Sequence, residues 1–196
     1  MAEACQVITV LISGAFSSGK TAFIRAVSEI DVVSTEYPNS PPGFKAALDF
    51  GRITLADRSI VIYLLANPGS LPMPPMEQVF PDDMRRRCGY IAVVNSAPAD
   101  EWKDYNPRES AAVIRQVQER GLPFIVAATK QDKPGAKSPA QIRNLLQLPD
   151  DIKIVPCSAQ TDPDSARRAL LELFALLPQD EVVHHAQNAI RAMIGT

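Results

Sequence analysis

The stretch GAFSSGKT, residues 14–21, places two glycines, a lysine and a threonine at the spacing G-x-x-x-x-G-K-[ST]. Glycine lets the backbone wrap closely around an anion, so that successive N–H groups and the following helix N-terminus point at phosphate oxygens. Lys20 can reach the terminal phosphates, and the Thr21 hydroxyl can ligate Mg²⁺. A strand-like apolar run precedes the loop and a helix-like pattern follows it, which disfavours a plain glycine turn. The predicted phosphate-binding residues are Gly14, Ser17, Ser18, Gly19, Lys20 and Thr21.

Two further polar loops each follow an apolar run, TKQD after PFIVAA and CSA after IKIVP. In an open α/β sheet, ligands bind at the C-terminal ends of the strands. A carboxylate at Asp132 can accept hydrogen bonds from guanine N1–H and the exocyclic amine, a pair that adenine lacks, while the lysine stem covers the base. Either loop alone is also typical of solvated surface. The predicted guanine-binding residues are Thr129, Lys130, Asp132, Ser158 and Ala159.

Six apolar runs of strand length must position these loops: VITVLI, FKAALDF, SIVIYLLA, YIAVVNS, PFIVAATK and IKIVPCSA. Helical patterns separate the later runs, which predicts an α/β protein with a mostly parallel sheet covered by helices on both faces. The second and third runs are joined by a short turn around Asp57 and Arg58, which predicts one antiparallel edge hairpin. We expect a six-stranded P-loop NTPase fold.

Composition narrows the class of protein. The chain has 196 residues, 46% of them hydrophobic, which predicts one domain over residues 1–196. The formal net charge of −2 argues against a nucleic-acid partner. Three widely spaced cysteines without a leader sequence favour a cytoplasmic protein with reduced thiols, and the sequence offers no span or lipidation motif for a direct membrane anchor.

The order of these motifs resembles that of the Ras-like small GTPases over nearly the whole chain. Within that superfamily, ALDFGRITL followed by a PG turn is most similar to the bacterial MglA-like polarity and gliding group and its actinobacterial relatives. The resemblance implies GTP and GDP as ligands, Mg²⁺ as cofactor, and switch segments that contact an effector or a roadblock-type regulatory protein.

The segment after the third run departs from the family pattern D-x-x-G-Q and reads ANPGS. Ala66 stands where the aspartate holds magnesium through water, and Ser70 stands where the glutamine orients the attacking water. Gly69 keeps the glycine that can contact the γ-phosphate. MglA-like proteins also lack the aspartate but usually keep PGQ, so Ser70 is an additional loss.

The remaining magnesium ligand is left open by the sequence. The place of the family's switch threonine falls near Lys45, while Thr35 is available closer to the first helix. Asp49 is a candidate substitute carboxylate if its side chain faces the metal, but on an edge strand a solvent-facing aspartate is an equal alternative. The metal ligands are therefore predicted as Thr21 with Thr35 or Asp49.

Three functions fit these residues. The first is a switch protein that hydrolyses GTP slowly or with a partner's help, the second a GTP- or GDP-binding interaction module without turnover, and the third a P-loop kinase or ATPase, which Asp132 disfavours. No catalytic residue is assigned; Arg52 and the run Arg85–Arg87 are the in-chain candidates for a charge at the γ-phosphate. We expect the proline-rich segment Ser70–Pro81 to be a switch region, and the stretch from residue 66 to residue 88 to form a loop or broken helix.

Overall fold

The computed structural model describes residues 5–34, 48–55, 59–67, 80–97 and 107–195. Strands and helices alternate along these ranges. The strands are β1 Gln6–Gly14, β2 Val33–Ser34, β3 Asp49–Leu55, β4 Ile60–Ala66, β5 Cys88–Asn95, β6 Phe124–Thr129 and β7 Ile154–Pro156. The helices are α1 Lys20–Val27, α2 Asp82–Arg86, α3 Pro107–Glu119, α4 Pro139–Leu146, α5 Pro163–Phe174 and α6 Glu181–Ile194.

The strands form one sheet in the order β2-β3-β4-β1-β5-β6-β7. β4, β1, β5, β6 and β7 pair in parallel, whereas β3 is antiparallel to β4. This confirms the predicted mostly parallel sheet with its antiparallel edge hairpin. The two-residue β2, antiparallel to β3, adds a seventh strand at the edge that no apolar run had indicated. The predicted turn around Asp57 and Arg58 lies outside the described residues.

The second predicted strand has different bounds in the structure. It was expected over FKAALDF, but β3 begins at Asp49 and continues to Leu55, while residues 44–47 lie outside the described part of the chain. Along β3 buried residues such as Ile53 and Leu55 alternate with the exposed Arg52 and the half-buried Thr54. This alternation is typical of a strand near a sheet edge, and it is weaker in the sequence than a continuous apolar run.

Helices cover both faces of the sheet, as predicted. Alternate residues of β5 enter different apolar clusters: Ile91 and Val93 pack with α1, α5 and α6, whereas Ala92 and Val94 pack with α3 and α4. The central strands are therefore buried on both sides, which explains why they read as continuous apolar runs in the sequence. The two layers hold the C-terminal ends of the parallel strands at one edge of the sheet.

Helix ends follow local sequence signals. Ser138 and Gln141 form a capping box at the start of α4, with Pro139 in its first turn. Asp180 caps α6 by accepting a hydrogen bond from the Val183 N–H at 3.0 Å. Within the predicted loop or broken helix, α2 is a five-residue helix. Among the described residues, no helix combines the length and apolar character that crossing a bilayer requires.

Candidate functional site

The phosphate loop lies between the end of β1 at Gly14 and the start of α1 at Lys20. A Cβ atom on Gly14 would lie 2.5 Å from the Val93 carbonyl oxygen and 2.5 Å from Ser18 Oγ, so no larger residue fits there. Gly19 has φ 101°, in the left-handed region that favours glycine. The two motif glycines are thus required by close backbone approach and by backbone conformation, respectively.

Lys20 closes back on this loop. Its Nζ donates to the carbonyl oxygens of Gly14 and Ala15 at 2.9 Å each, and the residue is only 9% exposed. Burial lowers the pKa of Lys20 from 10.5 to about 8, opposed in part by the negative charges of Asp49 and Glu109. Among the described residues no carboxylate forms an ion pair with it. A buried ammonium held only by carbonyl groups fits a site for an anionic ligand.

The hydroxyl of Thr21, the second residue of α1, contacts the carboxylate of Asp49. Thr21 Oγ1 donates a hydrogen bond to Oδ2 of Asp49, and Asp49 is 7% exposed. Asp49 therefore faces the loop and does not face solvent. Oxygen donors of this kind suit Mg²⁺, which keeps several waters and takes one or two carboxylates. The described residues contain no group of three or more His, Cys, Asp or Glu that could hold a metal by themselves.

The strand register explains how Asp49 reaches this place. Asp49 pairs with Ala66 in the antiparallel β3–β4 ladder, so the start of β3 lies beside the end of β4. Ala66, at the position of the family's aspartate, is buried and has no group that could ligate a metal. The carboxylate missing from β4 is thus present on the neighbouring strand, directly across the pair.

A cavity of about 300 Å³ lies beside the phosphate loop, where the predicted base-binding residues meet. Its lining consists of Gly19, Ala22, Thr129, Lys130, Asp132, Lys133, Ala159 and Gln160. The Asp132 side chain is 19% exposed, and its Oδ2 lies 3.7 Å from Lys133 Nζ. Lys133 and Gln160 were not predicted; adjacency to TKQD and CSA was the available signal.

The loop after β6 is held in place by backbone contacts. Lys130 has φ 59°, and the Gln131 N–H donates to the Cys157 carbonyl at 3.2 Å. Gln131 Nε2 also donates to the Lys137 carbonyl at 2.9 Å. The first bond ties the loop after β6 to the residue that follows β7, and the second closes the loop on itself. Lys130 and Asp132 thereby reach the same cavity as Ala159.

Two predicted base-binding residues make structural contacts within the protein, although Thr129 also lines the cavity. The Thr129 hydroxyl lies 2.5 Å from the Ser18 carbonyl oxygen and 3.1 Å from the Val94 carbonyl oxygen, and its one proton can be donated to either, which links the base side to the phosphate loop. The Ser158 N–H donates to Ser165 Oγ at 2.8 Å, and Ser158 is not among the residues that line the cavity. The turn after β7 therefore contributes Ala159 and Gln160 to the cavity.

The candidate arginines do not lie at the phosphate loop. Arg87 pairs with Asp180 at 2.6 Å and donates to Gln6 at 3.1 Å. The Arg87 carbonyl accepts a hydrogen bond from the Thr9 N–H at 2.9 Å, and Thr9 lies five residues before Gly14, roughly 16 Å away at 3.3 Å per residue. The Arg87 guanidinium points further away, to Gln6 at the start of β1. Arg52 pairs with Glu29 at 2.9 Å, three residues along β3 from Asp49. The expectation of an in-chain arginine at the γ-phosphate is not supported for either residue.

The run Arg85–Arg87 is only partly exposed. Arg85 and Arg86 on α2 are exposed, but Arg87 is bound to α6 and β1 because Asp180 lies beside it in the fold. Other predicted residues lie outside the described part of the chain. These are Thr35, Lys45, Gly69, Ser70 and the segment Ser70–Pro81 up to residue 79.

No protein-family profile matches the chain. It is 26% identical over 144 residues to human ADP-ribosylation factor-like protein 4D, covering 73% of this chain and 67% of that protein. The bovine protein of the same name matches equally, over 68% of its length.

Solved structures resemble the fold. The bacterial selenocysteine-specific elongation factor EF-Sec has a TM-score of 0.57 at 17% identity, covering 88% of this chain and 29% of that one. The cytosolic domain of the T. maritima FeoB iron transporter in its GMPPNP form has a TM-score of 0.54 at 17% identity, covering 89% of this chain and 65% of that one.

The fold is a P-loop NTPase fold. The chain is thus similar in sequence to ADP-ribosylation factor-like proteins and similar in fold to these two solved structures. The similarity to the MglA-like group and a bacterial origin stay predictions.

Proposed function

We propose that this chain binds GDP and GTP together with Mg²⁺ and acts as a switch protein whose own GTP hydrolysis is very slow. The observation that carries the proposal is the convergence of three features at one sheet edge. These are the buried ammonium of Lys20, the contact between Thr21 and Asp49, and the cavity beside Asp132. These three features are suited to bind, respectively, the phosphates of a guanine nucleotide, the metal ion that accompanies the phosphates, and the base.

Guanine selectivity is assigned to Asp132. Its carboxylate can accept from both N1–H and the exocyclic amine of guanine, while adenine would leave it unpaired at the cavity. Unpaired buried polar groups are costly, so such a site rejects the wrong base strongly. A P-loop kinase or ATPase would need a different base site, which keeps this third alternative disfavoured.

Thr21 and Asp49 are proposed as the protein ligands or near neighbours of Mg²⁺, with Thr35 as a further candidate. Mg²⁺, when bound, supplies neutralisation of charge on the phosphate oxygens. The chain's own contribution is to hold a hydroxyl and a carboxylate side by side where α1 begins. The cross-strand position of Asp49 opposite Ala66 supports this role, since a carboxylate from either strand would reach the same region.

Slow hydrolysis is proposed because Ser70 stands where a glutamine would orient the attacking water, and because Arg52 and Arg87 pair with Glu29 and Asp180. Unaided small GTPases turn over at about 10⁻⁴ per second, and an arginine from a partner adds about 10⁵-fold. We therefore propose an effector or roadblock-type regulatory protein as the partner of the switch segments. A module that binds nucleotide without turnover is the second candidate, favoured by Ala66.

Two measurements test the proposal. Nucleotide released from the purified chain should be GDP or GTP, and ATP should fail to displace labelled GDP at equal concentration. Single-turnover hydrolysis then separates the first two candidates: conversion over hours supports the slow enzyme, and no conversion supports the binding module. Equal competition by ATP would overturn the guanine assignment. About one turnover per second without a partner would contradict the slow-hydrolysis proposal.

A further inference from the structure

We propose that the groove between α3 and α4 is a docking site for an acidic peptide segment of a partner protein, one that carries two carboxylates with apolar side chains between them. The groove has a volume of about 340 Å³ and shares no lining residue with the cavity beside Asp132. The proposal therefore concerns a second surface and does not depend on nucleotide binding.

Two arginines of α3 lie on one wall of the groove. Arg108 and Arg115 are seven residues apart, which places them two turns apart on the same face of the helix, with Ala111 between them. Their Cα atoms are separated by about 10 Å along the helix axis at 1.5 Å per residue. Both arginines are exposed, and neither makes an ion pair or a hydrogen bond with another residue in the described part of the chain.

Among the described residues that line the groove, none is acidic. Glu109 follows Arg108 in sequence, but its Oε1 accepts a hydrogen bond from the Phe16 N–H at 3.4 Å. Asp150 follows the groove residue Pro149, and its Oδ1 lies 4.0 Å from the Nε of Arg143. The lining therefore carries a positive charge in a chain whose net charge is −2, and it is complementary to a negatively charged occupant.

Much of the remaining lining is apolar. Ile114 of α3 is buried, whereas Leu145 at the end of α4 is 42% exposed. Guanidinium groups bind carboxylates through paired hydrogen bonds, and arginine is enriched at protein interfaces. A free anion would leave the exposed leucine uncovered, so arginines beside an apolar surface favour a peptide that has both acidic and apolar side chains.

The opposite wall of the groove is preformed. The turn after α4 is fixed by Arg143, whose Nη2 donates to the Ile152 carbonyl at 2.7 Å and whose carbonyl accepts from the Leu148 N–H at 3.0 Å. Gln147 ends α4 with φ 53°, in the left-handed region where glycine is favoured. Because Gln147 lines the groove, this strained position holds an amide side chain where the peptide would bind.

The length of the groove favours a peptide over a small ligand. Its α3 wall runs from Arg108 to Gln118, about 15 Å along the helix. An extended peptide rises about 3.3 Å per residue, so roughly four to five of its residues span this length. Carboxylates about three residues apart in such a peptide would meet both arginines.

Selection of random phage-displayed peptides against the purified chain determines the chemistry of the occupant directly. Arg108→Gln and Arg115→Gln each remove a guanidinium group, and Leu145→Ser removes an exposed apolar side chain. The matched control is Arg25→Gln, an exposed arginine of α1 on the other face of the sheet that also has no ion pair in the described ranges. Fluorescence anisotropy of the selected peptides, made synthetically, gives the dissociation constants.

The selected peptides should be enriched in pairs of Asp or Glu about three residues apart with apolar residues between them. Arg108→Gln and Arg115→Gln should each weaken their binding by about tenfold, and high salt should weaken it further. Leu145→Ser should also weaken it, and Arg25→Gln should leave it unchanged.

Gln147→Gly separates binding from folding. It relieves the left-handed strain, so the melting temperature should stay level or rise, whereas peptide affinity should fall by about threefold because the amide is lost. The inference would be overturned by selected peptides without acidic enrichment, by equal binding to the arginine variants, or by a selection that yields no peptide. Binding of a short oligothymidine that is lost in Arg108→Gln and Arg115→Gln would assign the groove to nucleic acid and would overturn it as well.

Discussion

The base side and the metal side of the candidate site are built in different ways. Lys130 and Asp132 reach the cavity from one loop that follows β6. The metal side joins Thr21 of α1 to Asp49 of β3, which are 28 residues apart. A contiguous loop keeps its function only if its own residues are kept, whereas a cross-strand site can obtain its carboxylate from either strand. Asp49 on β3 therefore places a carboxylate directly opposite Ala66, although β4 has none at that position.

The largest expected effect is the loss of nucleotide affinity on removal of the Lys20 side chain. Lys20→Ala should weaken GDP and GTP by about a hundredfold, because a buried charged donor to the phosphates is lost. The nucleotide-free protein should stay folded, since burial already disfavours the Lys20 charge. Titration with labelled GDP and a thermal melt check both statements. Unchanged affinity for GDP would contradict the assignment of residues 14–21 as the phosphate loop.

Asp132→Asn should impair base recognition and leave the metal side intact. Guanine nucleotide affinity should fall by roughly thirtyfold, since an acceptor for guanine donors becomes an amide, and xanthine nucleotides should bind better. Competition of GDP and xanthosine diphosphate against a labelled nucleotide measures the change. The variant should leave the dependence on Mg²⁺ as in the unaltered protein, and a loss of that dependence would show that the two sides are not separate.

Moving the carboxylate from β3 to β4 tests whether either strand can supply it to the metal side. Asp49→Ala should reduce the Mg²⁺-dependent part of GDP affinity by about tenfold. Adding Ala66→Asp should restore part of it, because directly opposite residues have Cβ atoms about 5 Å apart. Magnesium titrations of GDP release by the single and double variants test this. If Asp49→Ala has no effect on magnesium dependence, Asp49 is only a hydrogen-bond acceptor for Thr21.

The smallest effect is a pH dependence. Lys20 in the nucleotide-free chain has a pKa of about 8, and its charged form attracts phosphate. Binding must therefore take up a proton once the pH exceeds 8, so GDP affinity should be level near pH 7 and fall several-fold by about pH 8.8. At higher pH, guanine N1–H itself begins to dissociate. Lys20→Ala is the control, and its residual affinity should show no fall over this range.

Much of the fold could be predicted because its signals are local. The phosphate loop and TKQD are contiguous stretches whose spacing determines their backbone shape, and continuous apolar runs indicated the buried strands. The two-residue β2 was missed, since so short a strand has no period to detect. The bounds of β3 shifted because only every second residue of that strand is buried.

The phosphate loop and the loop that holds Asp132 could be predicted from the sequence alone, since neighbours along the chain are neighbours in space. It left open whether Asp49 faces the site. The fold was needed to show that Asp49 contacts Thr21, that Glu109 contacts Phe16, and that Arg87 pairs with Asp180 at the opposite end of the sheet. Each of these contacts joins residues at least 28 positions apart, and their meeting depends on strand register and helix packing, which no local pattern encodes.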